Sequence, residues 1–285
     1  MIERITIVGT GLIGASIGLA LREAGFKGEI VGVDANTTER AAALKIGAVN
    51  SFATNADEEA TAIRSADVIV LAVPVLAVQD WMQRLAPLLG PKQLVTDVGS
   101  TKLKISESAQ QLFSSDTTAR FLPGHPMAGK ESGGASLAEA SLFRNAMWLF
   151  TPIAEASSLE AEWREWVAKF GCRTMDMDAA RHDELCAWVS HLPQMLSTAL
   201  AALLEDKFGD APEIAAIGGR ALRETTRLGA SPYSMWRDVA MTNAEPIADT
   251  LLALEQRLAH VRENLRTPEL RDEFALANKF RARRS

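Results

Sequence analysis

His125 stands between Gly124 and Pro126 in the run GHPMAGKESGG at 124–134. Neither neighbour suits a helix interior, so the setting predicts an irregular loop, where chemistry is placed more often than packing. Imidazole is the side chain best suited to taking up and returning a proton near neutral pH. His125 is therefore the candidate general base, the alternative being a turn histidine that satisfies a backbone carbonyl. Ser100, in DVGSTK at 97–102, suits the N-cap of a helix starting at Lys102.

A second constellation says what the base would assist. Gly9-Thr10-Gly11-Leu12-Ile13-Gly14 follows a strand-like run and opens a helical pattern, the context that gives GxGxxG its meaning. Its glycines permit a tight turn and a close backbone approach to a pyrophosphate at the helix N-terminus. Asp34 closes the next strand-like run, where its carboxylate would accept from the ribose hydroxyls of NAD and repel a 2′-phosphate. The predicted cofactor-binding set is Gly9, Gly11, Leu12, Ile13, Gly14 and Asp34, with NAD preferred over NADP. The plainer reading is a glycine turn that only lets a helix pack closely on a sheet.

Behind these residues the first half of the chain alternates β-branched runs with helical patterns. Strands are expected at 4–8, 29–33, 67–73 and 93–98, and helices at 12–23, 38–46, 75–89 and 102–113. The pattern predicts a doubly wound α/β, Rossmann-type domain over 1–177, extended by a strand at 146–150, a helix at 158–170 and a strand at 172–175. After Asp178 alanine, leucine and methionine dominate, with long amphipathic patterns at 179–205 and 246–266. An all-helical domain is predicted for 178–285, with a kink or break at Pro193.

The 285 residues carry 30 basic and 36 acidic side chains, a formal charge of −6, which argues against a nucleic-acid surface. The basic run at 279–284 reads as a solvated tail. No apolar run reaches the roughly 18–20 residues of a membrane helix, and strand-like chemistry from Ile2 leaves no room for a signal peptide. A cytoplasmic protein is expected. Cys172 and Cys186 have neither disulfide-framework nor metal-ligand spacing, so buried thiols and no metal are expected.

These motifs, with HDELCAWVSHLPQ at 182–194 and TTRLGASPYSMWRDVAMTN at 225–243, resemble the prephenate/arogenate dehydrogenase family over nearly the whole chain. The resemblance implies NAD(P)-dependent oxidative decarboxylation of a cyclohexadienol and a homodimer joined through the helical domain. It makes His125 the catalytic base, Ser100 its orienting partner and Arg227 the clamp on a substrate carboxylate. Glu131 resembles a carboxylate at the substrate entrance, His191 a polar pocket wall, and Trp236 a tryptophan near the pocket. The chemistry agrees, because aromatisation supplies the driving force and the protein has to position a ring, hold carboxylates and move one proton.

Other readings of these residues stay open. Arg220 or Arg223 can replace Arg227 in another register, and Arg227 can pair with Glu224 at the surface. Glu131 can be an ordinary solvated acid. His182 and Asp183 read as the start of a helix, and His260 as an exposed residue of a charged face. The chain departs from the family at Gln194, where many members have a second histidine. A neutral amide there alters the contact to the substrate side chain and opens the choice between prephenate, with its ketone, and arogenate, with its ammonium. A hydroxyacid or hydroxyacyl dehydrogenase is the competing enzyme class, and an NAD-binding sensor without turnover is the non-enzymatic alternative.

Overall fold

The computed structural model describes residues 1–115, 117–130 and 132–283. Its large sheet is built from β1 (Arg4–Val8), β2 (Glu29–Val33), β3 (Ser51–Phe52), β4 (Val68–Leu71), β5 (Leu94–Asp97) and β6 (Arg120–Leu122), in the order 3-2-1-4-5-6. Every pairing is parallel. Helices α1 (Leu12–Glu23), α2 (Thr37–Lys45), α3 (Ala56–Ser65), α4 (Val75–Leu85) and α5 (Leu103–Leu112) make the crossovers. Strands β4 and β5 are buried along their full length, as strands covered by helices on both faces must be. The strand order reverses between β1 and β4, which opens a crevice at their carboxyl ends, beside Gly9 and Ala72.

In the large sheet and its crossovers three elements escaped the periodicity, β3, α3 and the three-residue β6. β3 has two residues, too few to show a period, while α3 carries a legible start, with Asn55 capping Glu58 N and three acids in its first turn. α4 ends at Leu85 rather than 89 because Pro87 follows the C-cap and has no N–H to donate to the Gln83 carbonyl.

Pro123 ends the large sheet, since it has no N–H for a further rung. Beyond it the chain starts a second sheet, in which β7 (Gly124–Pro126) runs antiparallel to β8 (Met147–Phe150) and β8 parallel to β9 (Arg173–Asp176). Helix α6 (Ser158–Lys169) connects the last two. The expected strands at 146–150 and 172–175 thus sit in a separate sheet, yet Leu122, Trp148, Phe150 and Trp163 share one buried core with β1 and α1. His125 lies on β7, a strand three residues long, rather than on an irregular loop.

From Ala179 the chain is helical: α7 (Ala179–Cys186), a π turn (Ala187–His191), α8 (Leu192–Phe208), α9 (Pro212–Ile217), α10 (Arg220–Thr226), α11 (Tyr233–Thr242), α12 (Ala244–Glu263) and α13 (Glu269–Ala282). The break expected at Pro193 takes the form of the π turn. Pro193 cannot donate to Val189 and its ring crowds that carbonyl, and one extra residue per turn absorbs the conflict. Among the described residues no helix is long and apolar enough to cross a membrane.

Candidate active site

Gly9 has φ +85°, and a Cβ there would lie 2.4 Å from the Ala72 carbonyl oxygen; one on Gly14 would lie 2.0 Å from the Gly9 oxygen. These two glycines are required by the turn itself. Gly11 differs, because a Cβ there would meet nothing within 4 Å. It caps α1 at the edge of an open cleft of about 420 Å³, lined also by Leu12, Ile13, Val73 and Gly99. A backbone bare of side chains at a helix N-terminus fits a pyrophosphate. Asp34, at the end of β2, accepts from Thr10 N at 2.7 Å, Thr10 Oγ1 at 3.1 Å and Asn36 N at 2.8 Å, which fixes the carboxylate beside the glycine turn.

A second cavity of about 370 Å³ lies between the β7 loop and the helical region. Ser100, His125, Lys130, Gln194, Arg227 and Trp236 line it, with Ser190 and His191 presented by the π turn. Ser100 and His125 line both cavities, so the predicted base stands where they join. Arg220 and Arg223 do not line it: Arg220 pairs with Glu224 at 2.6 Å, and Arg223 donates to the Gly218 carbonyl. Glu131 lies outside the described residues.

The candidate base is fixed by neighbours that sequence reasoning passed over. His125 Nδ1 is 2.8 Å from His182 Nε2, and His182 Nδ1 is 2.7 Å from Asp183 Oδ1. Asp183 also accepts from Lys102 N at 2.7 Å and Leu103 N at 2.9 Å. Its carboxylate therefore caps α5 from across the domain junction, and Ser100 does not; the N-cap position belongs to Lys102. His182 and Asp183 are buried members of the site rather than an ordinary helix start. The signal was their inward face: residues 182, 183, 186 and 187 recur at helical spacing and are all buried.

Asp97 and Lys102 form a second buried device. The Lys102 ammonium, with 0 % exposure, pairs with Asp97 Oδ2, which also accepts from Gly99 N, while Oδ1 accepts from Gly124 N at 3.2 Å. Burial lowers the Lys102 pKa and the Asp97 contact opposes that shift. The pair joins the Ser100 loop to the strand that carries His125.

Burial holds the His125 pKa well below 6.5, and His182, Lys102 and His191 add to the effect. His191 accepts from Asn243 Nδ2 at 3.1 Å through Nδ1, which leaves Nε2 as its N–H, and it meets Trp236 edge to face. Burial pulls its pKa to about 4. Since the unfolded chain then binds more protons than the folded one between about pH 4 and 6.5, stability rises with pH across that window and is lost on acidification. Urea titrations at pH 7 and pH 5 are expected to differ by roughly 1–3 kcal/mol. Equal midpoints would remove His191 and His125 from the titration.

Gln194 is 3 % exposed and already engaged. Its Nε2 donates to the Leu228 carbonyl at 2.7 Å and to Thr198 Oγ1, and its Oε1 accepts from Ser231 Oγ at 3.2 Å. With Ser197 Oγ, which accepts from Gly229 N, it pins the 3₁₀ turn that begins at Arg227. His125, His182 and Cys186 also bring three potential metal donors within 4.8 Å of one another, a cluster that spacing did not reveal. Burial holds the Cys186 thiol up at about 12, so it offers a thiol rather than the thiolate that metals prefer.

Two family models cover almost the whole chain: prephenate dehydrogenase, nucleotide-binding domain, over 17–174, and prephenate dehydrogenase, dimerization domain, over 178–280. The chain belongs to the prephenate dehydrogenase family. It is an oxidoreductase of that family, with a nucleotide-binding Rossmann-type domain followed by helices. A prephenate dehydrogenase of Lactococcus lactis subsp. cremoris is 33% identical over 279 residues, covering 98% of this chain and 75% of the relative. The structure is similar to that of a prephenate dehydrogenase from A. aeolicus in complex with hydroxyphenyl propionate and NAD+, with a TM-score of 0.90 and 26% identity over 100% and 99% of the two chains. A Synechocystis arogenate dehydrogenase matches with a TM-score of 0.77 and 29% identity over 99% and 100%.

Proposed function

We propose that this family member is an NAD-dependent cytoplasmic enzyme that oxidises and decarboxylates prephenate to 4-hydroxyphenylpyruvate, the precursor of tyrosine. The observation that carries the reading is the position of His125, at the join of a cleft suited to a dinucleotide and a cavity suited to a substrate ring. NAD, held by Gly9, Gly11, Leu12, Ile13, Gly14 and Asp34, supplies the hydride acceptor. His125 takes the proton of the ring hydroxyl, Ser100 orients it, and Arg227 holds a substrate carboxylate. His191, Gln194 and Trp236 form the wall around the substrate side chain. Residues 1–177 serve the cofactor, and 178–285 serve the substrate and the dimer.

Charge balance refines the role of the base. The prephenate dianion and NAD+ give a monoanion, CO2 and NADH, with no net proton released. His125 therefore lends its service: it takes the hydroxyl proton as the carbinol carbon gives up hydride, then returns it to the same oxygen as the carbon–carbon bond to CO2 breaks. A base whose pKa is held down by burial gives the proton back readily.

Among the described residues lining the cavity the charged side chains are Arg227 and Lys130, the latter also paired with Glu139 at 3.1 Å, and no carboxylate lines it. A dicarboxylate with a neutral ketone suits this lining better than arogenate, which brings an ammonium. The test is kcat/KM for NAD reduction with prephenate and with arogenate on the purified protein. Preference for prephenate supports the reading; preference for arogenate transfers it to the amino acid, and silence with both refutes it.

Arg227→Ala is expected to weaken substrate binding by about 2–5 kcal/mol, read as KM for prephenate, with KM for NAD unchanged. Unchanged kinetics would assign Arg227 to the frame of the cavity. The homodimer is supported by apolar side chains that the helical region leaves exposed, among them Leu203, Ile217, Tyr233, Leu252 and Phe274. Light scattering at micromolar concentration is expected to give twice the chain mass, and a monomer would contradict this.

A further inference from the structure

Three groups in line run inward from the reacting site: His125, His182 and Asp183. A carboxylate only accepts, so the 2.7 Å contact at Asp183 Oδ1 is donated by His182 Nδ1–H. With one proton on each imidazole, His182 Nε2 is then an acceptor, and the 2.8 Å contact is donated by His125 Nδ1–H. His125 Nε2 is left with its lone pair. We propose that His182 and Asp183 are positioning residues that set the tautomer of His125 and form a two-step proton relay behind it. The inference rests on His125 being the base of the proposed reaction.

In the forward step the substrate hydroxyl proton goes to His125 Nε2, and His125 Nδ1–H passes its proton to His182 Nε2. Positive charge moves one residue inward, next to the Asp183 carboxylate, which keeps its hydrogen bond from His182 Nδ1 and stays ionised. The reverse transfers restore the phenol oxygen after CO2 leaves, so the relay ends as it began. Its surroundings suit a charge held for one step only. The ammonium of Lys102 faces the pair from α5, paired with Asp97, while His191 stands on the π turn and the Cys186 thiol lies 3.6 Å from His182 Nε2.

The relay also couples the base to the cofactor-side loop. Asp183 accepts the Lys102 and Leu103 amides, so one carboxylate sets the His125 tautomer and the start of the helix that follows Ser100. Apart from the contact between the adjacent His182 and Asp183, these contacts are distant along the chain: His125 and His182 are 57 residues apart, and Lys102 and Asp183 are 81.

The test uses Asp183→Asn, His182→Leu and His182→Gln in the full chain. Asparagine at 183 that turns its NH2 toward His182 reverses both tautomers and puts a proton on His125 Nε2; its oxygen still accepts from Leu103 N, while Lys102 N, which shares Oδ1 with His182 Nδ1, loses its acceptor. The expected results are a fall in kcat of about 10²–10⁴ with KM for NAD within twofold, and a switch of His125 from Nδ1–H to Nε2–H in the ¹⁵N spectrum of histidine-labelled protein. For His182→Leu a loss of about 10²–10³ is expected, of which His182→Gln recovers tenfold or more, because its amide oxygen still accepts from His125 Nδ1. A His125 tautomer unchanged by Asp183→Asn, or equal rates for the leucine and glutamine variants, would overturn the relay. If Asp183→Asn fails to fold, the His182 pair decides. The ¹⁵N spectrum needs no turnover, so an inactive wild type would refute the proposed function while leaving the tautomer to judge the relay.

Discussion

His125→Asn is expected to lower kcat by about 10²–10⁴ and to leave KM for NAD within twofold. Asparagine keeps a polar side chain on β7 and can hydrogen-bond to His182, but it cannot take up a proton, so the loss falls on the chemical step. The pH profile adds a second criterion. Burial, with His182, Lys102 and His191, holds the base below the ordinary histidine range, so the wild-type rate is expected to be flat through neutrality and to fall only below about pH 6.5. That acid limb should vanish in the variant. Initial rates of NADH formation from pH 5 to 8 measure both, and turnover close to wild type would move the role of base to another residue.

The second large effect concerns stability. Lys102→Met is expected to lower the unfolding free energy by about 3–5 kcal/mol, because the Asp97 carboxylate is left fully buried without its cation. The amides of Gly99 and Gly124 still donate to it but carry no full charge. The double variant Asp97→Asn, Lys102→Met is expected to regain much of the loss, since a neutral amide in the same place needs no counter-ion. Urea unfolding of the wild type and the two variants tests this. A single-variant cost below about 1 kcal/mol, or no recovery in the double, would show that the pair does not hold the loop. Because that loop carries Ser100 toward both cavities, kcat is expected to fall with stability in the single variant and to recover with it in the double.

Much of the molecule was legible in the chain itself. The parallel sheet was readable because its strands are buried on both faces and therefore appear as β-branched runs, as in VIVL of β4. The glycine turn was readable because each glycine answers a local demand: a positive φ at Gly9, a close backbone at Gly14 and an open edge at Gly11. His125, Ser100, Arg227, His191, Gln194 and Trp236 could be picked out from their types and from motifs spread over the chain, and all six line one cavity.

What the chain did not disclose depends on distance along it. The second sheet begins with a three-residue strand, below the length at which a period shows, and only its pairing with β8 defines it. The Asp97–Lys102 pair reads as two ordinary charges until burial removes the water around them. His182 and Asp183 look like a polar helix start, because their partners, His125, Lys102 and Leu103, arrive from 57 to 81 residues away. The sequence by itself determined the main elements and the cofactor turn and singled out His125 as the candidate base, since those follow from local propensity and motif. Which nitrogen of that base carries the proton was decided only by the tertiary structure, because a tautomer is set by the hydrogen bonds that folding brings to it.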